Sequence, residues 1–187
     1  MVSQPSAVAL WAIVAIPSLV QLAYPPLYDA LSRQPELIRD GQWCRIVSSV
    51  VVQDGGLPGT LFNLAFLAVI AILAVPLWGP VRTFVLFVAG AVVFNLPVVF
   101  LSPSAGGGNS GATFFLATSM VGLLLVRRSS ARVVLAAVVI LVDGVVLLVL
   151  RDAHGGPILG GLILGAALAA VSPPDLTAQA AGHPGPP

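Results

Sequence analysis

Gly106-Gly107-Gly108-Asn109-Ser110-Gly111-Ala112-Thr113 is the stretch where a very apolar chain breaks its pattern, wrapping glycines around a single serine. Three consecutive glycines do not stabilise a helix. They do let backbone N–H groups converge on a small volume, as an oxyanion or a closely approached substrate requires. The same run also reads as a flexible loop ahead of the next helix. Its neighbours in the chain have to decide between the two meanings.

Those neighbours are apolar. The 187 residues are 58% hydrophobic and 8% charged, with a mean hydropathy of +1.03, which describes a polytopic membrane protein and not a soluble domain. Eight arginines, no lysine and seven acids leave a net charge of +1, so nothing points to a nucleic-acid partner. The single cysteine, Cys44, excludes an internal disulfide and a multi-cysteine metal site. Met1 to Ser6 carry no basic side chain, so the apolar run that follows is read as a retained span and not as a cleaved signal peptide.

Runs of spanning length fall at Ala7–Tyr24, Thr60–Trp78, Thr83–Leu101, Ser110–Val126, Ala131–Leu150 and His154–Ser172, each close to the ~20 residues needed to cross the hydrocarbon. The expected fold is therefore an all-α membrane protein, a bundle of six transmembrane helices over residues 1–172. No internal repeat supports a transporter built from duplicated halves. The long first loop, Pro25 to Gly59, mixes Asp29, Glu36, Asp40 and Asp54 with Arg33, Arg39 and Arg45, and intersperses Leu27, Leu31, Leu37, Ile38 and Ile46. With Tyr24, Tyr28 and Trp43 nearby, it is expected to lie in the membrane interface. The tail 173–187, rich in proline, glycine and alanine, reads as disordered, and its His183 is given no role.

Arg82 in the second loop and Arg127, Arg128 and Arg132 around the fourth set the orientation. The positive-inside rule makes those loops cytoplasmic, places both termini inside, and puts the first, third and fifth loops outside. In that topology Ser110 and His154 share the outer level of the fourth and sixth spans. A neutral imidazole beside a serine hydroxyl can take its proton and turn it into a nucleophile; a histidine capping a helix end is the plainer alternative. Gly156/Gly160 and Gly161/Gly165 on the sixth span are small-xxx-small pairs that let another backbone come close, for packing alone or to bring the imidazole to the serine.

Asn63, at the outer start of the second span, is expected to face the bundle. There it either donates to an oxyanion together with the Ser110 N–H or bonds another helix. Asp143, inside the fifth span, reads as a hydrogen-bonded packing residue, with a proton or ion relay as the alternative. Asn95 and Pro97 read as a local kink with its own hydrogen bonding. Ser102, Ser104 and Asn109 are polar enough to line a way in for water.

Together these pieces resemble the rhomboid intramembrane serine proteases. Gly108-Asn109-Ser110-Gly111 looks like the family's Gly-x-Ser-Gly motif, and Ala153-His154 with Gly156 and Gly161 like its Ala-His segment. Leu61-Phe62-Asn63 resembles the end of its His-x-x-x-Asn motif, and Trp43-Cys44-Arg45 its first-loop Trp-Arg signature. The resemblance implies a Ser–His dyad without a third acid, using no metal or organic cofactor and cleaving transmembrane protein substrates in the lipid bilayer. On that basis Ser110 is the nucleophile, His154 the base, Asn63 and the Ser110 N–H the oxyanion donors, and Gly108 and Gly111 the motif glycines. The expected location is the plasma membrane, as an integral multi-pass protein.

The chain departs from the family pattern at several places. Gly59 stands where the histidine of His-x-x-x-Asn is usual, which removes a donor and lowers the expected activity. Asp54 replaces a common first-loop histidine, Cys44 a tryptophan and Pro157 a glycine, and Gly79-Pro80-Val81-Arg82 lacks a frequent glutamate. These departures keep a second reading in play, a non-catalytic rhomboid-like protein that binds transmembrane helices. A small transporter organised around Asp143 is a more distant one.

Overall fold

The computed structural model describes residues 4–128 and 130–171, so the expectation for the tail 173–187 lies outside the described residues. Long apolar sequences without a charged stripe fold as helices because an apolar solvent leaves their backbone groups no other partner. Six such helices form the bundle: α1 (Gln4–Ala23), α5 (Gly56–Trp78), α6 (Pro80–Leu101), α7 (Ser110–Arg127), α8 (Ala131–Val149) and α9 (Gly155–Val171). The first five are long and apolar enough to cross a membrane, and α9 is a shorter apolar helix. The all-α bundle of about six helices expected from the sequence is what forms.

The ends differ from the apolar runs by a few residues. The second span starts four residues early, at Gly56, since Pro58 falls in the first turn, where a proline removes no helical hydrogen bond.

α7 is the central pillar. Of its spanning window 56% is buried, against 11% for α8, and its Phe115, Leu116 and Leu123 pack with Leu67 and Ala71 of α5, Leu86 of α6 and Val14 of α1 in one core. α9 lies closest against it. A Cβ on Gly161 would run into Thr118 Oγ1 and the Phe115 carbonyl, and one on Gly165 into the backbone of Ser119. From the other side, a Cβ on Gly122 of α7 would run into the Leu162 carbonyl. Gly161/Gly165 is thus the pair that seats α9 on α7. Gly156 and Gly160 face Val93 of α6 more loosely: a Cβ on Gly156 would lie 3.9 Å from the Val93 carbonyl, and one on Gly160 would lie 3.5 Å from the Val93 side chain and 3.2 Å from the Phe115 ring.

The first loop folds over one end of this bundle as α2 (Pro26–Leu31), α3 (Pro35–Arg39), α4 (Arg45–Ser48) and a 3₁₀ turn, Ser49–Val51. Ile38 and Ile46 bury against Val99 of α6. Trp43 stacks on Phe100 with centroids 6.1 Å apart. The loop arginines turn inward. Arg45 donates to the carbonyls of Asp29 (3.0 Å) and Ser32 (2.9 Å), and Arg39 to that of Val99.

Two intramembrane readings are corrected. The hydrogen bonding of Asn95 is not local: its Oδ1 accepts from Arg33 at 2.5 Å and its Nδ2 donates to the Ile46 carbonyl at 2.8 Å, tying α6 to the first loop. Asp143 is not a packing residue. It is exposed on the outer face of α8, while the next residue, Gly144, faces the bundle against Leu159.

Candidate functional site

The third loop, which carries the glycine run, is pinned and not free. Arg33 and Gly106 exchange backbone bonds, Arg33 N to Gly106 O at 2.7 Å and Gly106 N to Arg33 O at 2.9 Å. Arg33 Nε also donates to the Ser104 carbonyl at 3.0 Å. Asp54 accepts from Gly107 N and from the Tyr28 hydroxyl, at 2.5 and 2.6 Å, and Gly108 N donates to the Ser49 carbonyl at 2.9 Å.

The electrostatics follow from this packing. Burial lowers the Arg33 pKa, while the nearby Asp54 opposes the shift. Burial, together with the bond to Asp54 and its charge, pushes the Tyr28 hydroxyl up. The loop that could have been flexible is a rigid lead into α7.

Ser110 opens α7, and its Oγ lies 2.9 Å from His154 Nε2, bridging 44 residues of sequence. The imidazole is walled by Phe94 of α6, centroids 4.9 Å apart, and by Phe114 of α7 at 5.7 Å, edge on. Gly111 makes the Phe94 contact possible, since a Cβ there would run into that ring. On the far side of the imidazole, Nδ1 lies 2.8 Å from Asp152 Oδ1. A carboxylate only accepts, so this contact suits the tautomer with the proton on Nδ1, in which Nε2 can accept from the serine hydroxyl.

Asn63 faces the same space. Its Nδ2 donates to Gln53 Oε1 at 2.8 Å, and Gln53 is itself held by Ser18 Oγ (3.1 Å) and by paired bonds with Gln21 (2.8 and 3.0 Å). A Cβ placed on Gly108 would lie 3.7 Å from Gln53 Oε1, 3.9 Å from Ser110 Oγ and 4.0 Å from Asn63 Nδ2. Gly108 therefore leaves open the point around which these three polar atoms gather.

One turn earlier on α5, a Cβ on Gly59 meets nothing within 4 Å. No side chain from elsewhere among the described residues fills the place of the usual histidine.

Sequence reasoning placed Ser110, His154, Asn63, Gly108 and Gly111 together, and they are together. It missed Gln53, Phe94, Phe114 and Asp152. Only Asp152 carried a local signal, an aspartate two residues before the histidine, where it can close an Asx turn. Asn109 was misplaced: it is fully buried, with Nδ2 on Thr113 Oγ1 at 3.1 Å, and lines no path for water. Ser104 does line a cavity of about 490 Å³ between α2, α3 and the third loop. No three His, Cys, Asp or Glu side chains gather as a metal site among the described residues.

Residues 40–173 match the family model of the Rhomboid domain, well over half of the chain. The chain belongs to the rhomboid family. No curated protein matches it. Family membership and the apolar helices make this rhomboid protein an integral, multi-pass membrane protein. The rhomboid family includes serine proteases, and it acts on transmembrane substrates within the membrane.

Proposed function

We propose that this rhomboid protein is an intramembrane serine endopeptidase cleaving transmembrane segments of other membrane proteins, with Ser110 as nucleophile and His154 as general base. The 2.9 Å separation of Ser110 Oγ and His154 Nε2 carries this reading. Ser110 Oγ attacks the scissile carbonyl carbon while its proton passes to Nε2. The carbonyl π electrons move onto oxygen, and two donors face that charge. One is the Ser110 N–H, among those a helix N-terminus leaves without an internal acceptor. The other is the second N–H of Asn63, the first being held by Gln53. Collapse expels the amine, which takes the proton from His154. Water, activated by the same imidazole, then hydrolyses the acyl-enzyme. No step calls on a metal or an organic cofactor.

The arginine pattern supports an orientation with both termini cytoplasmic, and the membrane we propose is the plasma membrane. Arg33 and Arg45 are buried in the protein, and Arg39 bonds the Val99 carbonyl. They count for little as free positive charge on the outer side, whereas Arg82, Arg127, Arg128 and Arg132 lie at the opposite end of the bundle.

The open place at Gly59 favours one second reading, a non-catalytic rhomboid-like binder of transmembrane helices. Proteoliposomes carrying a single-span reporter separate the two. Cleavage by the wild type that is lost in His154→Ala supports the protease. Stable capture of the uncleaved helix, equal in wild type and His154→Ala, supports the binder.

A further inference from the structure

We infer that Asp152 is a positioning residue for His154, its carboxylate holding the imidazole with the proton on Nδ1 and Nε2 aimed at Ser110. The inference rests on the assignment of Ser110 and His154 above, and it adds an acid to the dyad that the family resemblance implies.

The chain places this carboxylate by local geometry. α8 ends with Arg151 at φ 60°, a left-handed residue that reverses the backbone. The closing bonds run from Arg151 N to Leu148 O at 3.0 Å and from Asp152 N to Leu147 O at 2.8 Å, the pattern that stops a helix in one turn. Asp152 then starts the next element. Its Oδ1 accepts the His154 backbone N–H at 2.8 Å, an Asx turn, and Gly155 N follows onto the Asp152 carbonyl at 3.3 Å as α9 begins. The same oxygen also meets His154 Nδ1 at 2.8 Å. One atom therefore fixes both the backbone leading into α9 and the orientation of the ring.

The surroundings of the imidazole leave this role to Asp152. From α7 come Ser110 and the Phe114 ring, and from α6 the Phe94 ring. Arg33 lies over that Phe94 ring at 5.5 Å from its centroid, with its guanidinium bonded to Asn95 and Ser104. Asp152 is the carboxylate in contact with the ring among the described residues. The His154 backbone bond, aided by the ring's bond and charge, holds the Asp152 carboxyl below its ordinary value against the opposing effect of burial. It stays ionised wherever a neutral histidine can act as base.

A purely structural Asx turn would make the same backbone bond, and asparagine serves such turns as well as aspartate does. Asp152→Asn therefore keeps the turn and removes the charge. In the full-length protein, kcat/KM of this variant toward a fluorogenic transmembrane peptide is expected to fall at least about tenfold with its melting midpoint preserved. That is less than the ~10⁴ seen for a buried triad acid, because Asp152 is 46% exposed.

A kcat/KM equal to that of the wild type overturns the inference. A second readout needs no activity. With His183→Gln as background and ¹⁵N-labelled histidine in mildly alkaline buffer, His154 should be the Nδ1–H tautomer and become mixed in Asp152→Ala; an Nε2–H tautomer in the background protein overturns it. Absence of any Ser110-dependent turnover would instead sink the protease assignment, leaving the tautomer measurement to decide on Asp152.

Discussion

The side-chain amide of Asn63 donates to Gln53 Oε1 at 2.8 Å, and Gln53 is buried among Ser18, Gln21 and Val50. One of the two amide protons is thereby fixed, and with it the direction of the other. Gln53→Ala should lower kcat about tenfold or more while changing KM less than about twofold, because an oxyanion donor acts on the transition state and not on ground-state binding. Steady-state kinetics on a transmembrane peptide read the split. A raised KM at constant kcat would count against Asn63 as donor.

Gly59 lies one turn before Asn63 on α5, with open space where a Cβ would project. Adding the missing donor there should help if the oxyanion site is where Asn63 places it. Gly59→His is expected to raise kcat, with a ceiling of roughly 10²–10³ for one well-aligned donor. Unchanged or lower kcat in a folded variant would mean that the side chain does not reach the developing charge.

The seam between α7 and α9 sets the distance between Ser110 and His154. A single methyl on Gly161 has no room beside Thr118 Oγ1 and the Phe115 carbonyl, so Gly161→Ala should push α9 outward. The expected cost is about 1–3 kcal/mol of stability, together with a loss of activity larger than the stability loss explains. Thermal unfolding and kcat measured side by side test this. Gly156→Ala, where the nearest neighbour is Val93 O at 3.9 Å, should be nearly silent in both.

Asp143 faces out of the bundle from the body of α8. A carboxylate at such a position costs about 2.5–3.5 kcal/mol in the hydrocarbon on insertion scales. Asp143→Leu should therefore raise the thermal midpoint and leave peptide cleavage within about twofold of wild type. Loss of activity in Asp143→Leu, with Ser110→Ala fully active, would revive a relay organised around this residue.

The bundle was legible because a membrane span is a matter of composition and length, and six apolar runs announced six helices to within a few residues. Glycine spacing on α9 foretold the close seam, although only Gly161/Gly165 makes it. The first loop was less legible. Its arginines were read only as charges in an interfacial loop, yet Arg33 spends its hydrogen bonds on Ser104 and Asn95, 71 and 62 residues away, partners that no local pattern reveals. Asn95 was misread for the same reason. Gln53 had no signal, being an amide whose role depends on Asn63 and Ser18 meeting it in space. Asp152 had one, its place two residues before His154, which a dyad without an acid gave no reason to use.

The most direct measurement is covalent labelling of the purified protein by a fluorophosphonate probe, with the modified residue located by mass spectrometry. The site described here predicts labelling of wild type on Ser110, none in Ser110→Ala, and strongly slowed labelling in His154→Ala. Labelling that persists in Ser110→Ala, or a folded wild type that never reacts, would contradict the assignment of Ser110 as the nucleophile.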